Sequence, residues 1–328
     1  MKNYIVLDLE WNQSDGKASR KENLPFEVIE IGAVKMTEEY LLVDEFDELI
    51  RPSVYPKLFG ITQKLTGIRQ KDLVKARPFK EVAEDFFRWC GEDYVLCTWG
   101  NMDLTELQRN MDYFGVDYHL PSPLFYFDIQ KMYSLYEEFE ESSNSKLPRF
   151  SLEEAVKQQG IQTDIPFHRA SADTLYTALV MSSIDMERVK DFFSVDYHCI
   201  PEDDLELSFP GYDKFVTHEY EDRDEMLKDP TLTRIRCNLC GKSVRQKIRW
   251  FSVGRNYLCV GTCPEHGLIK GKIRVRKSDA NGWYAIRTTK QISDAECEEI
   301  RAKKQKKEEG ASSAQQQQQS QQSPDTEG

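Results

Sequence analysis

The segment Tyr4–Asn12, YIVLDLEWN, sets two carboxylates in an otherwise apolar run. Tyr4, Ile5, Val6 and Leu7 read as a buried β-strand. Strand side chains alternate faces, so Asp8 and Glu10 project to the same side. Two acids packed at the end of a buried strand repel each other and lose hydration. That costs several kcal/mol per ion unless positive charge compensates. No Lys or Arg lies between Lys2 and Lys17. Whatever stabilises the pair must come from elsewhere in the fold or from outside the chain.

The surrounding pattern sets the fold class. YIVLDLEW, EVIEIGAVKM and LLVDEFDELIRP read as three consecutive strands, each the antiparallel neighbour of the next. TGIRQKDLVKA and PFKEVAEDFFRWCG read as helices, the second beginning after Pro78 and stopping at Gly91. YVLCTWG is a fourth strand, followed by the helix LTELQRNMDYFG; LFYFDIQKMY is a fifth strand running into a helix. SLEEAVKQQG carries a Ser151 cap with Glu154 three residues on, and SADTLYTALVMSSI is a further helix. Residues 1–200 are therefore expected to form an α/β domain around a mixed five-stranded sheet. Residues 201–235, with Pro201, Pro210 and Pro230, are expected to be an acidic linker. Residues 236–290 read as a small β-rich module. Residues 291–328 read as a helix running into a Gln-rich, largely disordered tail.

Charge is unevenly distributed. Residues 1–200 carry 22 Lys/Arg against 35 Asp/Glu, and 201–235 carry 4 against 11. Residues 236–290 reverse this, with 13 against 2. A polyanion is expected to bind there if anywhere. No apolar run is long enough to span a bilayer, so no membrane partner is expected. The chain enters a strand almost at once, which argues against a signal peptide. A cytoplasmic address follows from that and from the cysteine pattern.

Three segments of the first domain place further acids. Asp103 lies in TWGNMDLTEL, just past the fourth strand, and FHRASADTLY offers His168 and Asp173 at the start of the last helix. In an open α/β sheet, strand ends and helix starts gather at one edge. Four acids meeting there form a set of hard oxygen ligands suited to Mg²⁺ or Mn²⁺. Taken singly, Asp103 and Asp173 are ordinary helix N-terminal charges, and His168 an ordinary loop residue. Glu30 and Asp128 also sit in strand-like runs but receive no chemistry, and Glu106 is expected to face solvent.

The ordered set of D-x-E, a later Asp after a strand, and H-x4-D opening a final helix resembles the DEDDh group of DnaQ-like 3′–5′ exonucleases, which have an RNase H-like fold. VLDLEWN, EVIEIGAV, FGITQKLTGI, TWGNMDLTEL and FHRASADT are most similar to the KapD and Eri-type exonucleases, over about residues 3–190. The resemblance implies that Asp8, Glu10, Asp103 and Asp173 hold two divalent cations, roughly 4 Å apart. It implies that His168 is the general base and that nucleoside 5′-monophosphates leave the 3′ end of RNA or single-stranded DNA. It also sets Leu9, Trp11 and Asn12 against the 3′-terminal nucleotide, with Trp11 either stacking on a base or packing in the core.

The last signal is CNLCG at Cys237–Gly241 and CPEHG at Cys263–Gly267. Each pair of ligands spaced by two residues and followed by glycine has the shape of a zinc knuckle. Cys237, Cys240, Cys263 and His266 would close a structural Zn²⁺ tetrahedron, with Cys259 as an alternative ligand. Lys270, Lys272, Arg274 and Arg276 alternate and so share a strand face, while Trp250, Phe251, Tyr257, Trp283 and Tyr284 are interleaved as stacking platforms. Two other readings stand beside the exonuclease. One is a non-catalytic nucleic-acid-binding protein on the same fold; the other is a phosphodiesterase acting on short oligonucleotides or dinucleotides.

Overall fold

The computed structural model describes residues 2–14, 23–138, 147–278 and 280–320. It divides into two compact units, 1–199 and 200–328.

The first unit contains β1 (Asn3–Asn12), β2 (Glu27–Met36), β3 (Leu42–Leu49), α1 (Gly60–Thr66), α2 (Gln70–Leu73), α3 (Phe79–Cys90), β4 (Tyr94–Thr98), α4 (Met102–Phe114), β5 (Leu124–Asp128), α5 (Ile129–Glu138), α6 (Leu152–Gln158), α7 (Ala170–Ser183) and β6 (Ser194–Asp196). The sheet order is β3-β2-β1-β4-β5-β6, so it has six strands and not the expected five. The missed strand, β6, is only three residues long and pairs antiparallel with β5. Its sequence is too short to show a period. β1, β2 and β3 are antiparallel neighbours as expected, and β1, β4 and β5 run parallel. The stretch 66–76, read as one helix, holds only the last residue of α1 and the short α2, because Gly67 takes φ 70° and ends α1.

Strand alternation divides β1 between two cores. Ile5, Leu7 and Leu9 pack with Phe86 of α3 and Leu104 of α4. Val6 packs on the other side with Met132 of α5 and Tyr176 of α7. Asp8 and Glu10 share the face of Val6 and so look toward α7. Gly32, opposite Asp8 in the β1–β2 register, lets α7 approach. A Cβ there would lie 2.3 Å from the carbonyl carbon of Ala170, the first residue of α7.

The second unit contains β7 (Leu205–Phe209), β8 (Tyr212–Val216), α8 (Arg223–Lys228), α9 (Pro230–Thr233), β9 (Arg245–Val253), β10 (Asn256–Cys263), β11 (Gly267–Lys277), β12 (Trp283–Gln291) and α10 (Asp294–Ser320). Its antiparallel sheet runs β7-β8-β12-β11-β10-β9. Residues 201–235 are thus not a linker. Pro210 precedes the β7–β8 turn at Gly211, where φ is 83°, and Pro230 is the first residue of α9. Asp222 and Asp229 cap α8 and α9. The prolines and acids that suggested a linker are the punctuation of ordered elements. The tail, expected to be disordered from Gly310, is helical as far as Ser320; the rest of that expectation falls outside the described residues.

Candidate active site

The carboxylate pair of β1 meets the N-terminal turn of α7. One oxygen each from Asp8, Glu10 and Asp173 lie within 4.8 Å of one another. Asp103 does not join that tight group. It opens α4 at the end of β4, is buried, and accepts the Leu9 N–H at 3.2 Å. It still acts on Asp8 through its charge.

The electrostatics record the strain of this gathering. Burial, then the charges of Asp103, Asp173, Glu10 and Glu30, hold the Asp8 carboxyl well above the usual range. Burial and the Glu30 charge push Glu10 up to about 8. Burial takes Asp103 to about 7 and Asp173 to about 6. Asp8 and Glu10 have no ion-pair partner among the described residues, and Asp173 Oδ1 is buried there without a hydrogen-bond partner. Three acids with an unused buried oxygen suit a hard divalent cation better than any side chain present.

Arg169, whose charge acts on Glu10, is engaged by another acid. Glu30 pairs directly with Glu10 across β1 and β2 and is fully buried. It accepts from Arg169 Nη2 at 2.5 Å, from Arg169 Nε at 3.0 Å and from the Ala170 amide at 3.2 Å. This clamp fixes the start of α7 beside His168. The His168 backbone takes φ 68°, its N–H donates to Asp173 Oδ2 at 3.2 Å, and its side chain is exposed. Glu30 was visible as an acid in a strand, but only tertiary structure reveals its partner.

Several expectations change here. Asn12 is fully buried and given to the fold. Its amide donates to the Tyr55 and Lys57 carbonyls and its oxygen accepts the Phe59 N–H. The Leu9 side chain lies in the core. Trp11 is half-buried, its ring 5.6 Å from Phe26. Glu106, expected in solvent, is buried and ion-paired with Arg109. α4 buries most of its circumference, so its polar residues face protein and not water. Asp128 accepts the Lys131 N–H and starts α5.

In the second unit, ligand atoms of Cys237, Cys240, Cys263 and His266 all lie within 4.8 Å of one another. Cys237 Sγ is 3.5 Å from His266 Nδ1, Cys263 Sγ is 3.8 Å from it, and the Cys240 and Cys263 sulfurs are 3.7 Å apart. A tetrahedral zinc with ordinary Zn–S and Zn–N bonds sets its ligands roughly 3.4–3.8 Å apart, so the four fit. Gly241 and Gly267, closing the two knuckles, take φ 68° and 74°. Burial opposes ionisation of Cys263, but the Glu265 and His266 amides and the neighbouring His266 and Cys240 bring its thiol down to about 6. Cys259 falls outside the four. It is fully buried among Ile235 and Ile269, and burial raises its thiol to about 12.

A mixed sheet that gathers carboxylates where one strand meets a helix start is the arrangement of an exonuclease domain. The chain belongs to the exonuclease family RNase_T, whose profile matches residues 5–181. Membership implies dependence on divalent metal. The chain is 32% identical over 124 residues to the probable 3′-5′ exonuclease KapD of Bacillus subtilis, covering 36% of this chain and 56% of that protein. It is 33% identical over 84 residues to the 3′-5′ exonuclease eri1 of Schizosaccharomyces pombe, covering 25% of this chain and 27% of that protein. The chain thus spans less than two thirds of either relative. Among solved structures, the nuclease domain of 3′hExo, a DEDDh family member bound to rAMP, aligns with a TM-score of 0.47 at 20% identity, covering 59% of this chain and 96% of that one. No helix among the described residues is long and apolar enough to cross a membrane.

Proposed function

We propose that the chain hydrolyses phosphodiester bonds from the 3′ end of RNA or single-stranded DNA, releasing nucleoside 5′-monophosphates. The observation that carries this is the convergence of Asp8, Glu10 and Asp173 oxygens within 4.8 Å, with Asp103 beside Asp8. Divalent cations, Mg²⁺ or Mn²⁺, would polarise the attacking water and offset charge on the phosphate and the leaving 3′-oxygen. Asp8, Glu10, Asp103 and Asp173 would hold them. His168, exposed in the loop before α7, would accept the proton of the attacking water, a task suited to imidazole near neutral pH. The partly exposed Trp11 is the remaining candidate to touch the terminal nucleotide. Cys237, Cys240, Cys263 and His266 would hold one structural Zn²⁺. A cysteine set spaced for metal and not for disulfides suits a cytoplasmic address.

The test uses 5′-labelled single-stranded RNA and DNA, and a labelled dinucleotide, with Mg²⁺ or Mn²⁺. A ladder shortening from the 3′ end, lost in Asp8→Asn, is expected. Cleavage of the dinucleotide alone, or of nothing, would reject the reading.

A further inference from the structure

The second unit lies outside the family match, and its sheet sorts its side chains in a way that the sequence did not. One face is core. Phe215, Ile273 and Ala285 pack there against Met226 of α8 and Leu232 of α9. Most aromatics read as stacking platforms are spent on cores. Trp250 donates to the Thr233 carbonyl, Tyr257 accepts from Arg223, and Phe251 and Tyr284 are buried. Most of the unit's cations stay exposed, although Arg287 is buried and donates to the Thr231, Leu232 and Arg234 carbonyls.

The other face carries Lys270, Lys272, Arg274 and Arg276 of β11, a row of roughly 20 Å at ordinary strand rise. By register, Lys290 and Thr288 of β12 lie beside Lys270 and Lys272, and Lys214 of β8 lies beside Thr288. On the same face, α10 covers the β9–β10 side, with Cys297 and Ile300 against Ile248, Phe251 and Val260. Glu296 of that helix pairs with Lys270 and Lys290. Beyond the helix, Arg274 and Arg276 are exposed and have no ion-pair partner among the described residues. Holding such a row together costs self-repulsion, and a bound polyanion relieves it.

We propose that this face, centred on Lys272, Arg274 and Arg276, binds a nucleic-acid strand through its phosphates and without reading its bases. The occupant follows from charge complementarity: cations spaced along β11, while Tyr284, beside Arg276 in the register, is buried and not open to a base. The inference deepens the exonuclease reading by giving the protein a second hold on its polymer. It does not depend on hydrolysis.

The test measures fluorescence anisotropy of labelled single-stranded RNA and DNA of 20 or more nucleotides over a salt series. The full chain carries Asp8→Asn so that nothing is cut. Replacing Lys272, Arg274 and Arg276 by Ala together should weaken binding about tenfold or more at low salt. It should also reduce the slope of log K against log salt by about 2, at about 0.7 per phosphate contact. Arg274→Lys with Arg276→Lys should bind like the parent, which separates charge from misfolding. Unchanged affinity and slope in the triple Ala variant would overturn the proposal. So would stronger binding, by the same residues, to phosphatidylserine vesicles than to either polymer. If binding behaves as expected while the chain with Asp8 intact shortens neither polymer from its 3′ end, the surface stands and the catalytic reading falls.

Discussion

Asp8 and Glu10 show how a cost in the fold becomes a property that can be measured. Without metal, Glu10, Asp103 and Asp173 hold protons in the folded state with values of about 8, 7 and 6, all above the roughly 4 of an unfolded carboxylate. A carboxylate raised on folding gives stability that is full below its unfolded value and lost as pH rises through its folded value. The metal-free protein should therefore melt several degrees lower at pH 8 than at pH 5. Mg²⁺ or Mn²⁺ should recover most of that loss, and Asp8→Asn should flatten both responses in calorimetry. Glu30 acts one step removed, through Arg169 and the Ala170 amide. Glu30→Gln should lower activity roughly 10- to 100-fold and shift the metal concentration giving half-maximal rate, as loss of a supporting contact does at metal sites. An unchanged metal dependence would leave Glu30 a purely structural residue.

At the scale of elements, the acid site depends on how closely α7 can approach the β1–β2 pair. The contact is made over Gly32, where an added Cβ would sit 2.3 Å from the Ala170 backbone. Backbone cannot rotate away as a side chain can. Gly32→Ala should cost about 1–3 kcal/mol in denaturant unfolding. Its activity loss should exceed its loss of folded protein, because α7 carries Asp173 and adjoins His168. The elements themselves were largely legible. β1, β2 and β3, α3, β4, α4 and the Ser151 capping box announce themselves by period and punctuation. β6 did not, being three residues long, and neither did the break at Gly67. Glu106 and Asn110 were hidden for another reason. α4 is enclosed on several sides, and Asn110 bonds the Val28 amide and the Phe26 carbonyl across a gap of more than eighty residues. No local pattern encodes such a partner.

For the whole molecule, the division of labour follows the division of charge and of metal chemistry. The first unit brings together oxygens of Asp8, Glu10 and Asp173, and the second the side chains of Cys237, Cys240, Cys263 and His266. Both groups were legible in the sequence because each is written as short motifs in order, although Asp103 stands outside the first. The extent of the second unit was not, because acidic, proline-bearing residues 201–235 belong to a sheet whose other strands are basic. The two ligand sets should respond to different reagents. Thiolate and imidazole favour zinc over magnesium, whereas carboxylates at a partly open strand end exchange hard cations readily. The purified chain should carry about one zinc. A strong zinc chelator, with Mg²⁺ in excess, should abolish a melting transition of the second unit, because a metal bound there would contribute to folding free energy. The first unit should keep its Mg²⁺-dependent transition, and Cys240→Ala should reproduce the chelator's effect. Loss of both transitions on zinc removal, or a zinc-free chain with both intact, would contradict this separation.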